Sequence, residues 1–253
     1  MKKFATKFLL WGFTCIYVLI YILFFLFLFV VLILVWIAGI FSKKLQHKLI
    51  NSTAYIWAKV TLWLTGSRIS VISPEHISHH MQNVVYISNH QSLFDIPLLL
   101  GWIDSRIRFM AKDSLFRIPI LGQWMKTMGC IPVSRKVSRS ELKKFDTVAT
   151  YLCDGGIVSI FPEGTRTRDG TLQKFHLSAF RPAQQANSTI VPVFIQGSWD
   201  ILPPGKRTIS PARVIIIIGE PIYYHQYSKW NRKQLSEYVR EKIEQLPDHL
   251  NDS

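Results

Sequence analysis

From Phe8 to Ser42 the chain carries no charged side chain, and Leu, Ile, Phe and Val dominate the stretch. It is too long for the apolar part of a signal peptide, and Ala38-Gly39-Ile40 is a poor small-x-small cleavage site. A helix over residues 8–41 would be about 50 Å long against a hydrocarbon core of about 30 Å, so it must tilt, project or break. Gly12 and Gly39 are the expected break points, leaving a span of about 13–38 with no Gly or Pro to make a re-entrant hairpin. Twenty Leu, Ile, Phe and Val residues in that span favour insertion by roughly 6–12 kcal/mol. The sequence therefore predicts a transmembrane or membrane-embedded helix. Lys2, Lys3 and Lys7 flank one end and Lys43, Lys44 and Lys48 the other, so the positive-inside rule nearly cancels.

Apolar residues then fall at Leu45, Leu49, Ile56, Trp57, Val60 and Leu64, with Lys44, Lys48, Asn51 and Lys59 elsewhere. This pattern predicts an amphipathic helix over about 45–65, ended by Gly66. Its apolar face suits either the membrane interface or the side of a folded domain. Residues 1–66 thus read as a two-helix membrane-anchoring region. Residues 67–253 show no internal repeat, low-complexity segment or linker, and read as one domain.

In that domain β-branched runs alternate with helical patterns. Strands are expected at Arg68–Ile72, Val84–Ser88, Ile107–Ala111, Ile131–Ser134, Ile157–Phe161, Thr189–Ile195 and Arg213–Ile218. Helices are expected at 93–102, 119–128, 138–153, 177–186 and 230–245. The alternation predicts an α/β fold, a mixed and largely parallel sheet flanked by helices.

The net charge is +14, and no acidic residue precedes Glu75. No basic block is interleaved with aromatics as in a nucleic-acid groove, so the charge suits an anionic membrane surface and anionic substrates. Cys15, Cys130 and Cys153 have neither metal-ligand nor disulfide-framework spacing, and His79-His80 reads as a surface turn. No metal and no bound cofactor are expected.

Three stretches carry chemistry. In the first, Asn89-His90-Gln91-Ser92-Leu93-Phe94-Asp95 follows the apolar strand Val84–Ser88 and leads into a helix that Asn89 or Ser92 can cap. Five residues on one helix place side chains roughly 140° apart, so His90 and Asp95 meet only if His90 stays in the turn and folds back. They would then be a general base and its orienter, with Nε2 free to take a proton from a hydroxyl. The alternative is a capping histidine and a first-turn aspartate that favours the helix dipole.

In the second, Phe161-Pro162-Glu163-Gly164-Thr165-Arg166 follows the strand Ile157–Phe161, and ligands in α/β sheets bind beyond strand carboxyl ends. Gly164 lets backbone N–H groups approach an anion, and Arg166 offers a planar fork for phosphate, with Arg168, Lys174 and His176 following. In the third, Lys112, Pro119, Gly122, Gly129, Pro132 and Arg135 frame a short helix and a strand, with Arg135 a further anion ligand or a solvated strand end.

Together with Ile190-Val191-Pro192-Val193, these stretches resemble, in order and spacing, the motifs of the glycerolipid acyltransferase family, most like its bacterial 1-acyl-sn-glycerol-3-phosphate acyltransferases. The resemblance covers about residues 67–222, and the preceding two helices look like that family's membrane-binding region. It implies an O-acyltransferase in which His90 is the general base and Asp95 its partner. Arg135 would contact the acceptor's phosphate, Glu163, Gly164 and Arg166 would hold its glycerol phosphate, and Pro192 would shape the pocket. Asn89, Ser92, Lys112 and Thr165 join the substrate-binding set. The acceptor would be lysophosphatidic acid, the donor an acyl thioester on coenzyme A or acyl carrier protein, and the product phosphatidic acid. Such donors place the catalytic domain on the cytoplasmic side of the inner or cytoplasmic membrane.

Two positions depart from the pattern. The chain has Phe175-His176-Leu177-Ser178-Ala179-Phe180 where many members carry Phe-Lys-x-Gly-Ala-Phe, and Asp113-Ser114 where Glu-Leu often follows the lysine. Loss of a lysine at 176 opens the acceptor to another lysophospholipid. A lipid-ester hydrolase would need a G-x-S-x-G nucleophile elbow, which is absent. A non-catalytic membrane lipid-binding protein would explain residues 1–66 but not the convergence of His90, Asp95 and Glu163.

Overall fold

The structure, a computed structural model, describes residues 2–74, 81–134, 139–167, 171–203 and 205–250. Helix α1 (Lys2–Phe41) runs without a break through both Gly12 and Gly39, contrary to the expected break points. A single glycine costs a helix only about 1 kcal/mol, too little to stop a run this apolar. The break falls at Ser42 instead, in extended conformation, where its hydroxyl accepts the Leu45 N–H and starts α2 (Lys43–Trp63).

The order continues β1 (Arg68–Ile72), β2 (Val84–Ser88), α3 (Asp95–Trp102), β3 (Arg108–Lys112), α4 (Leu121–Met128), β4 (Ile131–Val133), α5 (Arg139–Cys153), β5 (Ile157–Ile160) and α6 (Arg181–Gln185). It ends β6 (Thr189–Gln196), α7 (Ser198–Ile201), β7 (Arg213–Ile218), α8 (Tyr224–Tyr227) and α9 (Arg232–Gln245). All seven expected strands are present within a residue or so. The helix expected over 177–186 is divided into a 3-10 turn, Leu177–Phe180, and α6.

The seven strands form one sheet in the order β1-β7-β6-β2-β5-β3-β4. β6, β2, β5, β3 and β4 run parallel, whereas β7 lies antiparallel to β6 and carries β1 parallel to itself. The central strands β2 and β5 are buried at every residue and put their carboxyl ends at one edge. Val84, Tyr86, Val191 and Val193 face α2 and α3, while Val85, Ile87, Val158 and Ile190 face α5, α6 and α9.

The strand-to-helix connection after β3 explains the Pro119 and Gly122 spacing. Leu121 N donates to Pro119 O at 2.7 Å across Ile120, whose φ of 64° and ψ of −58° make a strained γ-turn. A Cβ on Gly122 would lie 2.1 Å from Phe116 O, so only glycine fits.

α1 is long and apolar enough to cross a membrane, yet it is not a bare span. Along its length it makes polar contacts with α2 and with the domain: Ile209 N donates to Thr14 Oγ1, Tyr17 to Thr61 O, Trp57 to Tyr21, Trp124 to Leu28 O, and Trp36 to Thr127. Leu28, Leu32 and Val35 pack with Ile50 of α2 and Trp124 of α4. The outer face leaves Leu19, Leu23, Phe27, Leu34 and Phe41 exposed. α2 packs one face against the protein and leaves apolar residues on the other. It buries Ile50, Ala54, Ala58 and Leu62, and exposes Tyr55, Ile56 and Trp63.

Candidate active site

β2 delivers the chain to the carboxyl edge at Ser88, where the backbone turns into α3. Asn89 does not cap that helix. Its side-chain amide donates to Ile195 O at 2.9 Å and accepts from Ile195 N at 2.7 Å, tying the turn to the end of β6. Ser92 does not cap it either: its hydroxyl accepts the Phe94 N–H within the turn, Phe94 stands at the N-cap with no side-chain cap, and α3 begins at Asp95.

His90 stays outside the helix and folds back as the spacing requires. Its Nδ1 lies 2.7 Å from Asp95 Oδ2. Gln91 N and Ser92 N donate to the same oxygen at 2.7 and 2.8 Å, and Ser198 Oγ donates to Oδ1 at 2.6 Å. Asp95 is fully buried, while the His90 side chain is 18% exposed. A carboxylate among these donors accepts, so the neutral imidazole carries its proton on Nδ1 and leaves Nε2 as the basic atom. The ring is stacked on Phe161, with centroids 4.1 Å apart, and Phe161 is stacked on Phe109. The geometry is one in which His90 could act as a base oriented by Asp95, which also occupies the first turn that favours a carboxylate.

The loop after β5 wraps His90 by its backbone. His90 N donates to Glu163 Oε1 at 2.7 Å, Gln173 N to Glu163 Oε2 at 2.9 Å, and Thr167 N to His90 O at 2.8 Å. Glu163 is 4% exposed. Burial pushes its carboxyl above the ordinary glutamate range, while the N–H groups of Gln173 and His90 hold that rise back. Both its oxygens are engaged by backbone, so its geometry is that of a brace between the two loops rather than a direct acceptor ligand. Gly164 has a φ of 67°, and a Cβ there would meet the His176 ring at 3.1 Å. His176 therefore lies against the glycine turn. Thr165 and Arg166 are exposed on the same loop, and Lys112 is exposed at the carboxyl end of β3, two strands or about 10 Å from β2.

Arg135 and Arg168 lie outside the described residues. Pro192 is not part of this constellation. It alternates with Val191 and Val193, so it faces the opposite layer, where it lines a cavity of about 230 Å³ with Gly219, Tyr238, Lys242 and Leu246. Among the described residues no group of three or more His, Cys, Asp or Glu is placed to hold a metal ion.

The sequence alone does not single out Ser198, Thr167 and Gln173 as parts of the site, nor the stacking of Phe161 under His90. Phe161 and Thr167 border the glycine turn in sequence, and Gly197-Ser198 follows the end of a predicted strand, where ligand-edge residues collect. Gln173 acts through its backbone and has no sequence signal.

The Acyltransferase family model matches residues 68–196, just over half of the chain. The chain belongs to the acyltransferase family. It is 33% identical over 179 residues to a chloroplastic 1-acyl-sn-glycerol-3-phosphate acyltransferase of Arabidopsis thaliana, covering 70% of this chain and 50% of that protein. It is 29% identical over 197 residues to the 1-acyl-sn-glycerol-3-phosphate acyltransferase of Bacillus subtilis strain 168, covering 76% and 94%. The chain thus spans about half the length of the plant relative and nearly all of the bacillar one. The crystal structure of the 1-acyl-sn-glycerophosphate acyltransferase PlsC from Thermotoga maritima superposes with a TM-score of 0.84 at 23% identity, covering 100% of this chain and 99% of that one. The two share a fold.

Proposed function

We propose that this acyltransferase moves a fatty acyl group from an acyl thioester to the free hydroxyl of 1-acyl-glycerol-3-phosphate, giving phosphatidic acid at a membrane surface. The observation that carries the reading is the 2.7 Å contact of His90 Nδ1 with the buried Asp95, at a sheet edge shared with the Gly164 turn. His90 Nε2 takes the acceptor's hydroxyl proton as that oxygen attacks the thioester carbonyl. The tetrahedral oxyanion collapses, the carbon–sulfur bond breaks, and the imidazolium returns its proton to the departing thiolate. No acyl-enzyme is needed. Ser92 is buried and accepts the Phe94 N–H, so it is not a nucleophile.

Arg166, Lys112 and Arg135 are the cations we assign to the acceptor phosphate, with Gly164 and Thr165 supplying backbone and hydroxyl contacts. The coenzyme A or acyl-carrier-protein donor places the domain on the cytoplasmic side. Crossing the bilayer would carry Thr61, Thr127 and Ile209, which contact α1 between Thr14 and Trp36, into hydrocarbon. We therefore read α1 and α2 as a hairpin embedded from one face, with residues 67–253 as the catalytic domain.

His176 beside Gly164 supports a second acceptor, a lysophospholipid other than lysophosphatidate. Incubating the purified protein with labelled acyl thioester and a panel of lysolipids, followed by thin-layer separation, distinguishes the two. Phosphatidic acid as the main product supports the first; absence of product from every acceptor overturns acyl transfer.

A further inference from the structure

Ser198 lies outside every motif of the sequence reading, yet it completes the coordination of the catalytic carboxylate. Asp95 Oδ2 accepts from three donors: His90 Nδ1, Gln91 N and Ser92 N. Among the described residues, the donor to Oδ1 is Ser198 Oγ, at 2.6 Å. Both residues are fully buried.

The placement is not incidental to the fold. Ser198 opens α7 two residues beyond β6, and β6 already grips the catalytic turn through the two Asn89–Ile195 hydrogen bonds. The carboxyl end of β6 therefore holds the segment 89–95 at both its ends. Two physical effects follow from a donor on Oδ1. A carboxylate's last torsion is soft and two-fold, so a partner on each oxygen fixes which oxygen faces Nδ1. Each donor also draws charge from the carboxylate and favours its ionised form. Stripped of its partner, a buried Oδ1 would carry an unmet hydrogen-bonding demand.

We propose that Ser198 is a positioning residue of the acyl-transfer site, its hydroxyl fixing the Asp95 carboxylate in rotation so that His90 presents Nε2 to the acceptor. This rests on the assignment of His90 as the base. Ser198 is not itself a nucleophile, because it is fully buried and its proton is directed at Asp95.

The test compares wild type, Ser198→Ala, Ser198→Thr and His90→Ala as full chains in detergent. In Ser198→Ala, kcat falls roughly 10-fold, the size expected for one hydrogen bond to a charged group, with KM unchanged. The acid limb of its kcat–pH profile is displaced from that of wild type, because the carboxylate facing the imidazole has lost a donor. Ser198→Thr restores both, whereas a residue that only fills space would tolerate alanine better than the added methyl. A second readout needs no substrate: the low-field proton resonance of the His90 Nδ1–H, identified by its loss in His90→Ala. It moves upfield or broadens in Ser198→Ala and returns in Ser198→Thr. A folded Ser198→Ala protein with unchanged resonance and unchanged acid limb overturns the proposal. If wild type transfers no acyl group, the functional reading falls, and the resonance alone still decides whether Ser198 orders the pair.

Discussion

The N-terminal hairpin and the carboxyl edge of the sheet invert the usual distribution of side chains in opposite directions. α1 exposes Leu19, Leu23, Phe27 and Phe41, whereas the edge buries Asp95, Asn89, Ser92, Ser198 and Glu163. Each inversion is stable only with its own partner. The exposed apolar face is larger than a soluble domain presents to water, which supports the proposed embedding in lipid. The buried polar groups need hydrogen bonds of good geometry, and the edge supplies them: four donors on Asp95, two on Glu163, and a paired backbone for Asn89. A defect in the first region should therefore appear as lost membrane binding, and a defect in the second as lost chemistry.

The largest effect expected is at the edge. Asp95→Asn presents an amide N–H to Nδ1, forces the other tautomer and removes the basic Nε2; by analogy with other His–Asp pairs, turnover should fall by about 10⁴. Membrane partition should not change, and flotation with liposomes checks that.

The seam that joins the two regions comes next. Leu32 is fully buried between α1, α2 and α4. Leu32→Ala should cost about 2–5 kcal/mol, read as a lower melting temperature in detergent. The outer face of α1 behaves differently. Leu23 is 60% exposed, so Leu23→Lys should leave the melting temperature alone. Placed in hydrocarbon, the lysine should weaken membrane partition by about 2.5–3.5 kcal/mol, or roughly 100-fold. Equal partition of this variant and wild type would break the contrast between the regions.

The smallest effect is a pH dependence at Glu163. Burial raises its folded-state pKa above the ordinary value of 4.5. Just above that pH the folded protein binds more protons than the unfolded chain, so stability falls as pH rises through the window. Glu163→Gln should flatten this part of the profile in denaturant titrations that start at pH 4.5 and move upward. It should also loosen the loop, since an amide can accept only one of the two backbone N–H groups.

What could be read from the residues followed the length scale of each interaction. β2 matched residue for residue, because a continuous Val-Val-Tyr-Ile-Ser run bounded by polar residues has few other uses. The His90–Asp95 contact was legible from its five-residue spacing, a local matter. The reversal of β7 and β1 was not, because strand direction is set by partners far along the chain. Ser198 meets Asp95 across a separation of 103 residues, and Gln173 meets Glu163 by its backbone N–H, so neither pairing has a local pattern. The resemblance implies that Pro192 shapes the pocket, whereas strand alternation turns it to the layer opposite Val191 and Val193. The helix break was assigned to glycines, whereas the capping hydroxyl of Ser42 decided it.

The most direct test of acyl transfer by a His90 base is thiol release from an acyl-coenzyme A, with and without lysophosphatidate, by wild type and His90→Ala. The predicted result is release that needs the acceptor and falls by at least about 10²–10⁴ in His90→Ala. Release that proceeds equally without acceptor, or that survives in His90→Ala, would contradict it.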